Sequence, residues 1–444
     1  MDWTSRSALD LRDALARGDV SAVEVTRAHL DRIGEIDSGV GAWAFLDSGH
    51  AMAQAERLDK LRQSGADIGP LHGVPVGVKD IIDTKDMPTQ NGTPVDAGRQ
   101  PKTDAAVVTR LRQAGAVILG KTVTTELAFT APSATLNPHN PAHTPGGSSS
   151  GSAAAVAANM VPFAVGTQTG GSIVRPASFC GVVGFKPTHG LIARSGCVVQ
   201  AFELDTIGPI ARSVDDAALL AEVMQGYDPG DKATVPRAPS RMLATARSKP
   251  PVIPSLGFVK TPKWGDAEPY LQEAFGELTE VLGDLCDEVA LPDVFANSWP
   301  AHRTVMVTGF ARNLGHYEER FGDQLSEQLR HAIVEGTTVS AVDYLAARDW
   351  CDVLNQGLDE VFERYDAILT PAAPGEAPAD LNTTGNPVFN AMWSFLGTPA
   401  ITLPLMAGPN GLPMGVQLVG PRGDDARLLR TANWLYDRIM TDED

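Results

Sequence analysis

The sequence predicts an α/β protein, built as one α/β/α sandwich with a large mixed central sheet covered by helices on both faces. Three observations lead there. Segments with apolar residues at helical spacing interleave with short strand-like runs along the whole chain. No segment repeats another, and none is low in complexity. A chain of 444 residues, 43% hydrophobic and 20% charged, buries a large core without staples. We therefore expect a single unit over 1–444. It comprises N-terminal helices over 1–65, a core over about 70–225, an exposed connection over 226–255, and a C-terminal part, 256–444, that completes the sheet.

The elements follow in order. SALDLRDALARG has helical spacing and ends at Gly18. SAVE at Ser21–Glu24 is a capping box that opens a second helix through Ile33. A third helix covers roughly Ser48 to Ser64. GVPVGVKDII, Gly73 to Ile82, reads as a strand. The helix DAAVVTRLRQAG then leads into the strand AVILG, Ala116 to Gly120. NPHNPAHTPGGSSSGS is loop, SAAAVAANM a small-residue helix, and VPFAVGTQTGGS strand and turn. The Pro-, Lys- and Arg-rich stretch Asp228 to Ser255 is an exposed connection. Polar helices dominate Ala267 to Arg364. Strands return at YDAILTPAAP, AITLPLM and GLPMGVQLVG, and a final amphipathic helix runs from Asp424 to about Met440.

The net charge of −18 repels polyanions and speaks against a nucleic-acid partner. Four cysteines, Cys180, Cys197, Cys286 and Cys351, form no C-x-x-C pair, which argues against a zinc ribbon or a dithiol site. The N-terminus lacks a basic region followed by an apolar run, and no apolar stretch reaches the roughly 18 residues of a membrane span. A cytoplasmic protein without a membrane partner is the default.

Three motif matches fail on context. GAVILGKT, Gly115 to Thr122, fits the phosphate-loop pattern, but its middle residues read as a strand whose amides the sheet will use. GSSSG, Gly147 to Gly151, fits the nucleophile-elbow pattern around Ser149, but turn material precedes it rather than a strand. His139 and His143 are separated by Asn140 and Pro141, which break any helix that would align them on a metal.

Three segments remain: VGVKD with Lys79, PGGSSSGSAAA with Ser148, and GTQTGGS with Ser172. A serine hydroxyl is a weak nucleophile until a base takes its proton. A lysine can be that base only when neutral, and Lys79 lies in an apolar strand where desolvation favours the neutral amine.

Together with GTQTGGSIVRPASFCGVVGFKPTHG, DTIGPIARSVDDAALL and the closing FNAMWSFLGTPAITLPLMAGPNGLPMGVQLVG, these segments resemble the amidase signature family over nearly the whole chain. The resemblance implies that fold and a serine amidohydrolase without metal or cofactor. It implies Ser172 as nucleophile, Ser148 as a bridge with a cis peptide bond, and Lys79 as base. The amides of Thr169, Gly170, Gly171 and Ser172 would form the oxyanion hole, with the two glycines permitting the curl. Thr167, Gln168, Asn91, Gly92 and Trp393, with Asn390, would line the pocket.

At two positions the chain departs from the family's usual GTDTGGS-x-R-x-P. Gln168 replaces the acid, and Arg175 is displaced by one residue while Pro176 keeps its place. In an extended segment that shift turns the side chain to the opposite face. Arg175 would then fork onto a substrate carboxylate, as in malonamidase-like and carboxybiuret-hydrolysing members. The bland alternative is a structural salt bridge. Rival functions are a hydrolase of neutral aliphatic or aryl amides, the glutaminase component of an amidotransferase, and a silent scaffold. The expected partners are a small-molecule amide, a second copy of the chain in a homodimer, and a small helical accessory protein.

Overall fold

The computed structural model describes residues 2–441. Its strands are β1 (Trp43–Leu46), β2 (Pro75–Lys79), β3 (Val117–Thr122), β4 (Phe163–Gln168), β5 (Val183–Lys186), β6 (Thr206–Ala211), β7 (Leu256–Val259), β8 (Cys286–Val289), β9 (Ala367–Pro371), β10 (Ala400–Ala407) and β11 (Pro413–Val419). All join one sheet in the order β1-β3-β2-β4-β6-β5-β10-β11-β9-β7-β8. β2 runs parallel to β3 and β4, and β7 parallel to β8 and β9; the remaining pairs are antiparallel. A helix bridges the parallel neighbours β2 and β3, and another β7 and β8, whereas among antiparallel pairs only β10 and β11 are joined by a short return.

The first helix ends, and the second begins, on the predicted signals. Ser7 accepts from the Asp10 amide, and Gly18 closes Ala8–Arg17 at φ 77°. Ser21 and Glu24 cap each other's backbone amides. That second helix runs past Ile33 to Val40, because neither Gly34 nor Gly39 adopts the left-handed conformation that Gly41 uses to end it.

Several elements differ from expectation. β1 and β8 lie at the two edges of the sheet and are only four residues long and half exposed, so the apolar run of β1 (WAFL) is very short and β8 (CDEV) leaves none. The segment after Ser172 is not extended: Val174–Phe179 is helical, with Pro176 tolerated in the first turn. The connection 226–255 is exposed over much of its length, most continuously at 235–239 and 247–253, but Asp231 is buried against Arg194, and Met242 and Ala246 anchor a short helix.

The helix Ser150–Ala157 packs over β4, β2 and β6. Its small residues allow that: a Cβ on Gly151 would lie 2.2 Å from the Ala42 carbonyl oxygen. This close approach brings Ser148, just before the helix, over the end of β2.

Candidate active site

Lys79 is the last residue of β2, beside β4 in parallel register. It is completely buried, and its Nζ donates to Ser148 Oγ and Thr167 Oγ1, each at 2.7 Å. No carboxylate pairs with it among the described residues, so desolvation lowers its pKa to about 7. Thr167, expected to line the pocket, turns its hydroxyl to Lys79 and also borders a cavity beside the site.

The Gly147–Ser148 peptide bond is cis. Ser149 straps the segment down. Its Oγ contacts both the amide and the carbonyl of Thr167 at 3.2 Å, and its own amide donates to the Ser172 carbonyl at 3.4 Å. From the other side, the Thr125 amide donates to the Ser148 carbonyl at 3.2 Å. Ser148 is buried, whereas Gly170 and Ser172 are partly open.

The turn from Thr169 to Ser172 is pinned by its carbonyls. His302 Nε2 donates to the Thr169 oxygen at 3.0 Å, and Ser394 Oγ donates to the Gly170 oxygen at 2.6 Å. A trans peptide sends C=O and N–H in opposite directions, so the Gly170 and Gly171 amides face away from those two residues. The amides of Gly170, Gly171 and Ser172 donate to no acceptor among the described residues. Burial holds the His302 imidazole neutral by lowering its pKa to about 4. The glycines serve differently from expectation. Neither has a positive φ. Gly171 is required by space, since a Cβ there would lie 2.5 Å from Asn390 Oδ1 and 3.0 Å from Arg175 Nη1; at Gly170 the nearest atom is 3.8 Å away.

Gln168 does not reach a pocket. Its Oε1 accepts from the Ile173 and Val174 amides at 2.9 and 3.0 Å, capping the short helix, and its Nε2 donates to Ser394 at 3.0 Å. The amide oxygen thus serves the helix start. Replacing an acid with glutamine therefore does not by itself release the arginine.

Arg175 is in that helix, so a one-residue shift rotates it by about 100° rather than flipping it across a strand. It makes no salt bridge among the described residues. Nε donates to the Thr384 carbonyl at 2.7 Å, and Nη2 to the carbonyl of Gly147 at 2.8 Å, on the cis peptide itself. Among the described residues Nη1 is buried without an acceptor and Asn390 Oδ1 without a donor, and both crowd Gly171. Burial lowers the guanidinium pKa only to about 10, so it stays charged.

The remaining expected residues support the site from behind. Asn91, at φ 56°, donates to Asp96 at 2.6 Å, and Gly92 packs on the Thr124 and Thr125 carbonyls, where a Cβ would meet oxygen at 2.7 Å. Trp393 is not a pocket wall: it is fully buried in a core cluster with Val174, Leu204 and Phe395. His139 and His143 bond to the separate carbonyls of Cys180 and Ala377, and no metal-holding cluster occurs among the described residues. No helix there is long and apolar enough to cross a membrane. Sequence reasoning missed His302 and Ser394. They come from helices more than a hundred residues downstream, and no local pattern marks them.

Known proteins resemble this chain over nearly its whole length. A family model described as Amidase matches residues 24–429. The A component of the glutamyl-tRNA(Gln) amidotransferase from Salinispora arenicola (strain CNS-205) is 35% identical, over 99% of this chain and 98% of its own length. Native peptide amidase from Stenotrophomonas maltophilia is 31% identical with a TM-score of 0.83, covering 98% of this chain and 97% of that one. A structure described as a vestigial protein complex revealing the origins of an s-triazine catabolic enzyme is 27% identical at TM-score 0.90, covering 99% and 98%.

Proposed function

The chain belongs to the amidase family, an amide-hydrolysing enzyme class, and on that footing we propose that it cleaves the C–N bond of a small, carboxylate-bearing amide through an acyl-enzyme. Ser172 is the nucleophile, Ser148 the relay and Lys79 the base. What carries the reading is a buried lysine with no carboxylate partner, hydrogen-bonded to a hydroxyl at 2.7 Å. Such an amine is neutral in a large share of molecules at neutral pH, so it can accept a proton.

In acylation, Ser172 Oγ forms a bond to the amide carbon. Its proton moves to Ser148, whose own proton moves to Lys79. The amides of Thr169 to Ser172 face the developing oxyanion. The same proton then returns through Ser148 to the leaving nitrogen as the C–N bond breaks, and ammonia or an amine departs. Water repeats the sequence on the acyl-enzyme and frees the acid. The reading calls for no metal or cofactor, and it includes a cytoplasmic setting and a homodimer.

The carboxylate preference rests on Arg175, whose Nη1 is buried, charged and without an acceptor. The test is ammonia release from malonamate and from its neutral methyl ester. We expect the acid to be favoured by at least about tenfold in kcat/KM, the scale of one charge-assisted hydrogen bond. Because Nη2 also holds the Gly147 carbonyl, Arg175→Ala should slow both substrates; loss of the ratio, not of the rate, reports the carboxylate. An unchanged ratio, or a wild type preferring the ester, overturns the preference.

A second reading is favoured by the 35% identity to the amidotransferase component: glutamine as the amide, with ammonia passed to a partner. Glutaminase turnover above that for malonamate would select it.

A further inference from the structure

Behind the Thr169–Ser172 turn lies a cavity of about 120 Å³, lined among others by Thr167, Thr169, Cys197, Gln200 and Asp205. Thr169 Oγ1 is 2.7 Å from Gln200 Oε1 and 2.6 Å from Asp205 Oδ1. A hydroxyl has one proton to give, and here it faces two oxygens. The Gln200 amide is not free to flip, because its Nε2 donates to the Leu127 carbonyl at 2.7 Å, which can only accept. Gln200 Oε1 must therefore accept from Thr169. The contact with Asp205 then needs a proton on the carboxyl.

We propose that Asp205 works as a carboxylic acid, heading a directed hydrogen-bond chain from Asp205 through Thr169 and Gln200 to Leu127, and is a positioning residue for the oxyanion turn. The proposal rests on the reading of Ser172 as nucleophile. The chain ties the turn to the 124–129 segment, in which Leu127 and Ala128 hold positive φ and Thr125 holds the Ser148 carbonyl. Every link is satisfied in one direction: Asp205 Oδ1–H to Thr169, Thr169 O–H to Gln200, Gln200 N–H to Leu127. Asp205 Oδ2 accepts the Gln200 and Ala201 amides at 2.8 and 3.1 Å. Ionising Asp205 would turn the Thr169 proton towards it and leave two oxygens facing each other at 2.7 Å. Buried chains of this kind gain or lose their bonds together.

The surroundings shift the carboxyl towards the acid form. Burial raises the Asp205 carboxyl to about 6, against opposing hydrogen bonds from Thr169 and the charge of Arg194. Arg194 is engaged elsewhere, paired with Asp231 at 2.7 Å and bonded to the Phe202 and Asp205 carbonyls. The Cys197 thiol, pushed up to about 12 by burial, stays neutral. Lys79 does not line this cavity, but a charged Asp205 would raise its pKa. A neutral Asp205 thus also helps keep Lys79 a free amine.

The experiment is infrared difference spectroscopy of the full chain, wild type minus Asp205→Asn, with kinetics of the Asn and Ala variants. At about pH 5.5, above the ordinary carboxyl range, wild type should show one protonated-carboxyl band absent from Asp205→Asn. Asp205→Ala should lower kcat about tenfold with KM changed less than about twofold, the scale of a misplaced catalytic group. Asp205→Asn, whose amide can donate to Thr169 and accept the two backbone amides, should recover most of that loss. Its kcat/KM should reach its plateau at the same pH as wild type, because asparagine is as neutral as the protonated acid. No band, or no rescue by asparagine, overturns the proposal. If wild type hydrolyses amides but the band is missing, only this proposal falls. If Ser172→Ala keeps turnover, the nucleophile assignment falls, while the band still reports on Asp205.

Discussion

Lys79 and Lys186 end two strands of one sheet, β2 and β5. Both are completely buried, and burial lowers both to about 7. Their partners differ. Lys79 meets the hydroxyls of Ser148 and Thr167, whereas Lys186 meets the carbonyls of Pro187 and Thr398. A hydroxyl can hand over a proton and take another; a carbonyl can only accept. A depressed pKa therefore makes a lysine available as a base, but the neighbouring oxygen decides whether there is a proton to take. Lys121 marks a third case: with Asp80 3.3 Å away as well as carbonyls, it falls only to about 8.

The largest effect should come from breaking the hydroxyl line. Ser172→Ala or Lys79→Met should each lower kcat by about 10⁴-fold or more, as for other serine triads, measured by ammonia release from the best substrate. A residual rate above about a tenth of wild type would remove the assignment. In wild type, kcat/KM should rise with pH through about 7 as Lys79 loses its proton.

Lys186→Met should leave that pH limb and kcat within about threefold, because its carbonyl partners take no part in the proton path. Its effect belongs in stability. Unfolded, both amines ionise near 10.5; folded, near 7. The unfolded chain binds more protons between those values, so stability rises with pH across that window. Thermal unfolding of Lys186→Met should show a shallower rise, with Lys79 and, above about 8, Lys121 still contributing. A displaced kcat/KM limb in this variant would erase the contrast between the two sites.

Smaller effects are expected from the carbonyl pins of the oxyanion turn. His302→Ala and Ser394→Ala should each lower kcat about tenfold with little change in KM, since they orient amides without touching substrate. A rise in KM alone would assign them to binding instead.

Much of this is legible from residues. Helix starts at Ser7 and Ser21, the strands carrying Lys79 and Thr167, and the serine-rich turns all follow from local patterning, because caps and buried strands leave short-range signatures. The edge strands β1 and β8 do not, since a half-exposed four-residue strand needs only its neighbour's ladder to exist. Arg175 escapes a local reading for a related reason: its direction depends on whether Val174–Phe179 coils, and the cap from Gln168 decides that.

By itself, the sequence determined which chemical groups are present and which segments carry them: Lys79, Ser148, Ser172 and the glycine turn. Only the tertiary structure decided their states. Burial depends on what packs above a residue, and the His302 and Ser394 pins, the orphaned Nη1 of Arg175 and the proton on Asp205 arise where chain segments distant in sequence converge. Hydrogen-bond direction is a property of neighbours in space, and no local pattern records it.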